Sequence, residues 1–174
     1  MKKVFCFTAI ILCFSMAGKA QIEGAYISSK DYKAFGFGGF LNFSLPITEA
    51  NALNIEAGVY TFSQDDDNVI LVPLLASYRM SLDGTGTGFY VEPAAGYTIG
   101  GSDIQKNYVD PATGTYAEQV TKGITAGIGA GYILPGNTPF NFGLWYKRVF
   151  VKGDPSLNVI SLRVSHPLSF RRRE

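Results

Sequence analysis

The chain has 174 residues, enough for one domain, and carries 15 Lys and Arg against 14 Asp and Glu. Its two cysteines, Cys6 and Cys13, lie in the opening segment, so the rest of the chain has no disulfide framework, cysteine zinc site or cysteine nucleophile. No later segment is apolar enough for a spanning helix, so a membrane form of this chain must be a closed barrel.

Residues 1–20 read as an export signal. Lys2 and Lys3 are followed by an apolar run from Val4 to Met16, then by Ala17-Gly-Lys-Ala20, a small-residue cleavage pattern. The cut is placed after Ala20, leaving Gln21 first. It removes Lys2, Lys3 and Lys19 and no acid, so 15 − 3 = 12 bases remain against 14 acids. The resulting −2 excludes a broad basic surface for nucleic acid.

Two-residue periodicity then dominates. Strands are predicted near 22–29, 34–45, 52–62, 69–80, 87–100, 118–134, 139–151 and 157–168. The second sets Phe35, Phe37, Leu41 and Phe43 against Gly36, Gly38, Phe40 and Asn42. The third sets Leu53, Ile55, Ala57 and Val59 against Asn54, Glu56, Gly58 and Tyr60. Pro73 and Pro93 interrupt the fourth and fifth, where each removes a ladder donor and predicts a bulge. Short turns (46–51, 81–86, 135–139) alternate with more charged or longer breaks, of which 101–117 is the long one.

The sixth strand poses a question of its own. Gly123, Gly127, Gly129 and Gly131 alternate with Ile124, Ala126, Ile128, Ala130 and Tyr132. The run lacks the Lys-Ser/Thr pair and strand–turn–helix setting of a phosphate loop. In a narrow barrel an inward glycine strip makes room for Trp145, Tyr60, Tyr90 or Phe40, while Ile and Ala face outward. The seventh and eighth strands repeat the split, with Phe140, Phe142, Leu144, Tyr146, Ile160, Leu162 and Val164 on the apolar face.

One face is therefore apolar and ring-rich. The other holds glycine, small polar residues and ions. Phe43, Phe89, Tyr132, Phe140 and Phe142 fall near the short-turn end; Phe35, Tyr97 and Phe150 fall near the loop end, as two interfacial aromatic rings would. The expectation is an all-β, eight-stranded antiparallel up-and-down transmembrane β-barrel over residues 21–170, with a basic tail at 171–174. A soluble two-sheet sandwich shares the alternation and is the competing fold.

The signal, the strand count and the ring-bordered faces resemble the small outer-membrane barrels of the OmpA/OmpX type. They resemble in particular the single-domain, porin-family barrels of Bacteroidetes, whose signals often end Ala-Gln, as Ala20-Gln21 does here. The resemblance implies a bacterial outer-membrane location, with lipids including lipopolysaccharide and the assembly machinery as partners. It carries no functional residue across. Such barrels usually end on an aromatic residue; here Phe170 is followed by Arg171-Arg-Arg-Glu174.

The candidate residues follow from the faces. Glu56, Arg79, Glu92, Lys147 and Arg163, with Glu23 beside them, point inward, and Arg79 is placed diagonal to Glu92. Structural fill is the plain reading; a plug or gate is the alternative. Lys122 and Arg148 point outward near the loop end, toward lipid head-group phosphates or simply toward water. Asp65-Asp66-Asp67-Asn68 lacks EF-hand spacing and reads as a solvated loop. His166 is the only histidine, Ser165 lies on the opposite face, and no carboxylate is placed to orient the ring. No catalytic residue, metal or cofactor is expected. The expected role is structural or surface interaction, with 101–117 as the candidate contact for an extracellular partner. The alternatives are a narrow small-solute or ion channel and a soluble periplasmic lipocalin-like barrel with its apolar face inward. Oligomeric state is left open.

Overall fold

The alternation closes on itself. The computed structural model describes residues 17–30, 32–64, 67–102, 120–136, 140–151 and 156–167. They form β1 (Ala17–Ser28), β2 (Lys33–Pro46), β3 (Asn51–Gln64), β4 (Asp67–Ser81), β5 (Gly88–Ser102), β6 (Val120–Ile133), β7 (Asn141–Val151) and β8 (Leu157–Pro167). Each strand pairs antiparallel with the next, and β1 pairs with β8, giving a closed barrel. Both strand-rich, glycine-dotted sequence and closure serve one need: a barrel leaves no edge with unpaired backbone groups.

The stagger follows from the pairing. Tracing partners from Ala17 leads through Ser44, Asn54, Ser77, Ala94, Gly127, Lys147 and Val159 back to β1 at Ile27, ten residues further along the strand. With eight strands this shear tilts them by about 40° to the barrel axis. The circuit also stays on one face of the sheet, so it traces the inner wall.

One expectation changes. No bulge forms at Pro73 or Pro93. β3 and β4 pair as Ala57↔Leu74 and next as Tyr60↔Leu71, and β4 and β5 pair as Ser77↔Ala94 and next as Met80↔Val91. Equal numbers of residues pass on both strands, so nothing is inserted. Each proline lacks only a donor. The unbroken pairs Pro73↔Thr98 and Pro93↔Ile128 on the other side hold the register. The connection lengths match the expectation that one break is long. The β1–β2 and β3–β4 links are as tight as the turns at the opposite end, and the long one is the segment between β5 and β6. β1 starts ahead of Ala20: Gly18, Lys19 and Ala20 pair with Phe43, Asn42 and Leu41. Residues 1–16, the aromatic Phe170 and the tail 171–174 lie outside the described residues.

The faces sort cleanly. On β8, Leu162 is 67% exposed and its neighbour Arg163 only 1%. Phe35, Phe37, Leu74, Phe89, Ile124, Ile128 and Leu144 are exposed, while Glu23, Glu56, Glu92, Lys147 and Trp145 are buried. The inverted arrangement that a soluble apolar-ligand barrel needs is not the one adopted. Rings gather at the borders: Phe89 meets Tyr132 at 4.8 Å near the short turns, and Tyr26 meets Phe35 at 4.9 Å near the loops.

Glycine makes this interior fit. Five inward strand rings each face a glycine across a strand pair: Phe40 and Gly58, Tyr60 and Gly38, Phe62 and Gly36, Tyr90 and Gly131, Trp145 and Gly129. A methyl group on any of these glycines would collide with the opposing ring. Pairing a ring over a glycine also covers backbone that the glycine leaves bare. The glycine run of β6 is thus half of a packing arrangement whose other half lies on β5 and β7.

Candidate functional site

The inner wall brings every predicted inward charge into one of two clusters. The larger forms at mid-barrel, where β1, β3, β7 and β8 aim side chains at the axis. Arg163 Nε donates to Glu23 Oε1 at 2.6 Å, and its terminal nitrogen contacts both Glu23 and, at 2.7 Å, Glu56 Oε2. Lys147 Nζ lies 3.3 Å from Glu23 and 3.4 Å from Glu56, and donates to the Tyr60 hydroxyl at 2.7 Å. Ser161 donates to Glu23 Oε2 at 2.5 Å, and Tyr60 donates to the same oxygen. The Arg163 guanidinium lies 4.1 Å from the Trp145 ring, a cation–π contact in a desolvated setting.

The second cluster lies nearer the short turns. Arg79 Nε donates to Glu92 Oε2 at 2.7 Å, and its terminal nitrogen repeats the contact at 2.7 Å. Ser77 at 2.5 Å and the Asn54 amide at 2.9 Å donate to the other oxygen. Arg79 sits 4.6 Å from the Tyr90 ring, and Tyr90 donates to Asn141 at 2.7 Å. Three carboxylates thus face three cations across the two clusters. Buried ions of this kind persist only when paired and hydrogen-bonded, and here each carboxylate has partners.

Sequence reasoning found the ions but missed Tyr60, Ser161, Ser77 and Asn54 as their hydrogen-bond partners. Their signal was present: polar residues on inward positions level with a glutamate. Only the register shows which of them meet.

Among the described residues the ions are closely packed. A small space beside Tyr60, Leu71, Thr98 and Lys147 has a volume of about 10 Å³, room for one water at most. The larger recess, about 620 Å³, lies against the outer wall between Phe89, Ala130, Tyr132, Phe142 and Leu144 and is apolar.

The outward cations stand apart. Lys122 and Arg148 are both exposed, but Arg148 pairs with Ala126, four residues from Lys122 along β6. The Arg148 guanidinium lies 5.3 Å from the ring of Phe150, two residues nearer the loop end, so it leans in that direction. His166 is exposed and meets Phe140 edge-on at 5.0 Å, while Ser165 is buried on the other face. Among the described residues no group of three or more metal-ligating side chains converges. The side chains of the acidic run 65–67 and the segment 103–119 lie outside the described residues.

No protein-family model matches the sequence, and no curated protein matches it with significance. Solved structures do. Ail, the attachment invasion locus protein of Yersinia pestis, aligns with a TM-score of 0.62 at 10% identity, covering 88% of this chain and 97% of that one. Neisserial surface protein A aligns with a TM-score of 0.61 at 16% identity over the same shares. Ail in a phospholipid bilayer nanodisc aligns at 0.51 and 12% identity, over 87% of this chain and 99% of that one. The fold is that of the small eight-stranded outer-membrane β-barrels.

Proposed function

We propose that this chain is an integral barrel of the bacterial outer membrane with a non-enzymatic role in envelope integrity or surface attachment. The observation that carries the reading is the pairing of an apolar, ring-bordered exterior with an ion-paired interior. A soluble protein does not expose an apolar belt running round its whole wall, whereas hydrocarbon requires one. Its partners are outer-membrane lipids, with Lys122 and Arg148 as the residues proposed to meet lipopolysaccharide phosphates, and the machinery that inserts barrels. Ail and neisserial surface protein A use the same frame, one as an attachment invasion locus protein and the other as a surface protein. Attachment through 101–117 is therefore the favoured form of the role. The channel alternative is opposed by the close packing of the ions in the lumen.

The test is a chain lacking 103–119, compared with the complete one in cells that lack both. Attachment predicts a barrel that still assembles but no longer supports adherence to host or abiotic surfaces. Adherence unchanged by the deletion, with detergent resistance also restored, would assign the role to the barrel wall. Steady single-channel conductance of the complete chain would replace both with transport.

A further inference from the structure

Each strand of the barrel is joined to the next through the chain, but β8 meets β1 with no connection between them. In a hairpin the turn sets the register; where no turn joins two strands, side chains must set it. Alternation does only half of that work. A slip of one residue turns every side chain to the wrong face, but a slip of two keeps each face as it was. At the seam, a slip of two would keep Ile22 on the outer wall, facing Leu162 or His166 in place of Val164.

The mid-barrel ions sit at this seam. Glu23 on β1 is the direct partner of Arg163 on β8, and both are buried. Ser161, the next inward residue of β8, donates to the same carboxylate at 2.5 Å. Charge is sorted by strand. The acids of the cluster, Glu23 and Glu56, stand on β1 and β3; its bases, Lys147 and Arg163, stand on β7 and β8. Before closure, one edge of the sheet is therefore acidic at this level and the other basic. The second cluster is local by contrast: Arg79 and Glu92 belong to one hairpin, 13 residues apart, whereas Arg163 and Glu23 are 140 apart. A slip of two at the seam would set Glu23 opposite Ser161 or Ser165, and Arg163 opposite Gln21 or Ala25. Separating buried ions from their partners in this way is costly.

We propose that the Glu23–Arg163 pair, backed by Glu56 and Lys147, is the key that chooses the edge and the register on which the barrel closes. Opposite signs admit β1 to β8. They resist β1 laid level against the β1 of a second copy, where Glu23 would meet Glu23. The direct pairing then picks one register among those that alternation permits. Setting register is a use for which buried polar groups are retained even at a cost in stability. The second cluster has no such task, since the turn between β4 and β5 already aligns its strands. Such a key works in any surroundings that the closed barrel occupies.

The test reads the register by disulfide trapping in the full chain with Cys6 and Cys13 replaced by Ala, folded into vesicles of dilauroylphosphatidylcholine. Ile22→Cys is combined with Val164→Cys, which reports the native register, or with Leu162→Cys or His166→Cys, which report slips of two. All four positions face outward. With the ions intact, the 22–164 bond should form in at least about tenfold excess, since Cα atoms more than about 7 Å apart cannot be bridged. Glu23→Gln with Arg163→Met removes the key and leaves Glu56 beside Lys147. The excess should then fall at least about threefold. Arg79→Met with Glu92→Gln is the control and should leave it unchanged. Ser161→Arg with Arg163→Ser moves the cation two residues along β8, and the favoured bond should move to 22–162. An excess undiminished without the key, or a 22–164 bond still favoured after the cation is moved, would overturn the proposal. So would an equal loss in the control. Failure of the membrane reading would appear as solubility without detergent and leave the register of the seam untouched.

Discussion

The indole of Trp145 lies over Gly129, its partner across β6 and β7, in the space a side chain at 129 would need. Gly129→Ala should therefore destabilise the barrel by about 1–3 kcal/mol, the usual range for overpacking. Gly24 is the control: nothing stands within 4 Å of the position its Cβ would take. Gly24→Ala should be neutral or stabilising by about 0.4–1 kcal/mol through the unfolded chain. Urea unfolding in lipid vesicles, followed by Trp145 fluorescence, measures both.

Arg163 bridges Glu23 and Glu56, so Arg163→Met strands two buried carboxylates beside Lys147. The loss should be about 3–5 kcal/mol. The Arg79–Glu92 pair separates pairing from mere charge. Arg79→Met with Glu92→Gln should cost less than the sum of the single changes, because neither partner is then left alone. Additive losses in the same unfolding assay would mean the two groups do not act as a pair.

The outer wall should show depth dependence. Leu162 is the middle residue of β8 and faces out. Leu162→Arg should cost about 2–4 kcal/mol in a bilayer, whereas Lys122→Leu near the loop end should change stability by about 0–1 kcal/mol. Equal effects of the two changes in vesicles would deny that the belt faces hydrocarbon.

Much of this was legible from residues alone. The inside–outside alternation of β2, β3 and β6 to β8 could be read because small polar residues and ions alternate with rings and aliphatics. Arg79 and Glu92 could be paired because one hairpin holds both. The Glu23–Arg163 contact could not, since the two are brought together only by closure of β1 on β8. The apolar layer inside was hidden for a different reason. Ile27, Phe62, Leu71 and Val159 look like lipid-facing residues in composition; alternation puts Val159 on the inner face with Ser161 and Arg163, but only closure shows that the four share one level. The prolines misled because a missing donor suggests an inserted residue, while the neighbouring strand pair in fact holds the frame.

The turn between β4 and β5 carries a pH-dependent element. The Thr85 backbone N–H at 3.0 Å and the Ser81 hydroxyl at 2.8 Å donate to Asp83 and hold its carboxyl below the usual Asp range. A lowered carboxyl stabilises the fold at pH above its unfolded value, and the contribution is lost as pH falls through the folded one. Amide exchange at Thr85 should therefore be protected at neutral pH. Once the intrinsic pH dependence of exchange is removed, that protection should fall on acidification through the lowered value. Asp83→Asn should flatten the dependence. A wild-type profile as flat as the variant's would remove Asp83 from the turn's stability.

The apolar face meets lipid, and that claim is directly testable. Fractionate cells producing the chain, extract the membranes with carbonate and then with detergent, and run the extract unboiled and boiled on a gel. The claim predicts a protein that stays in the membrane through carbonate, dissolves only in detergent, and migrates differently before and after boiling. A chain recovered in the soluble fraction, with one mobility under both conditions, would contradict it.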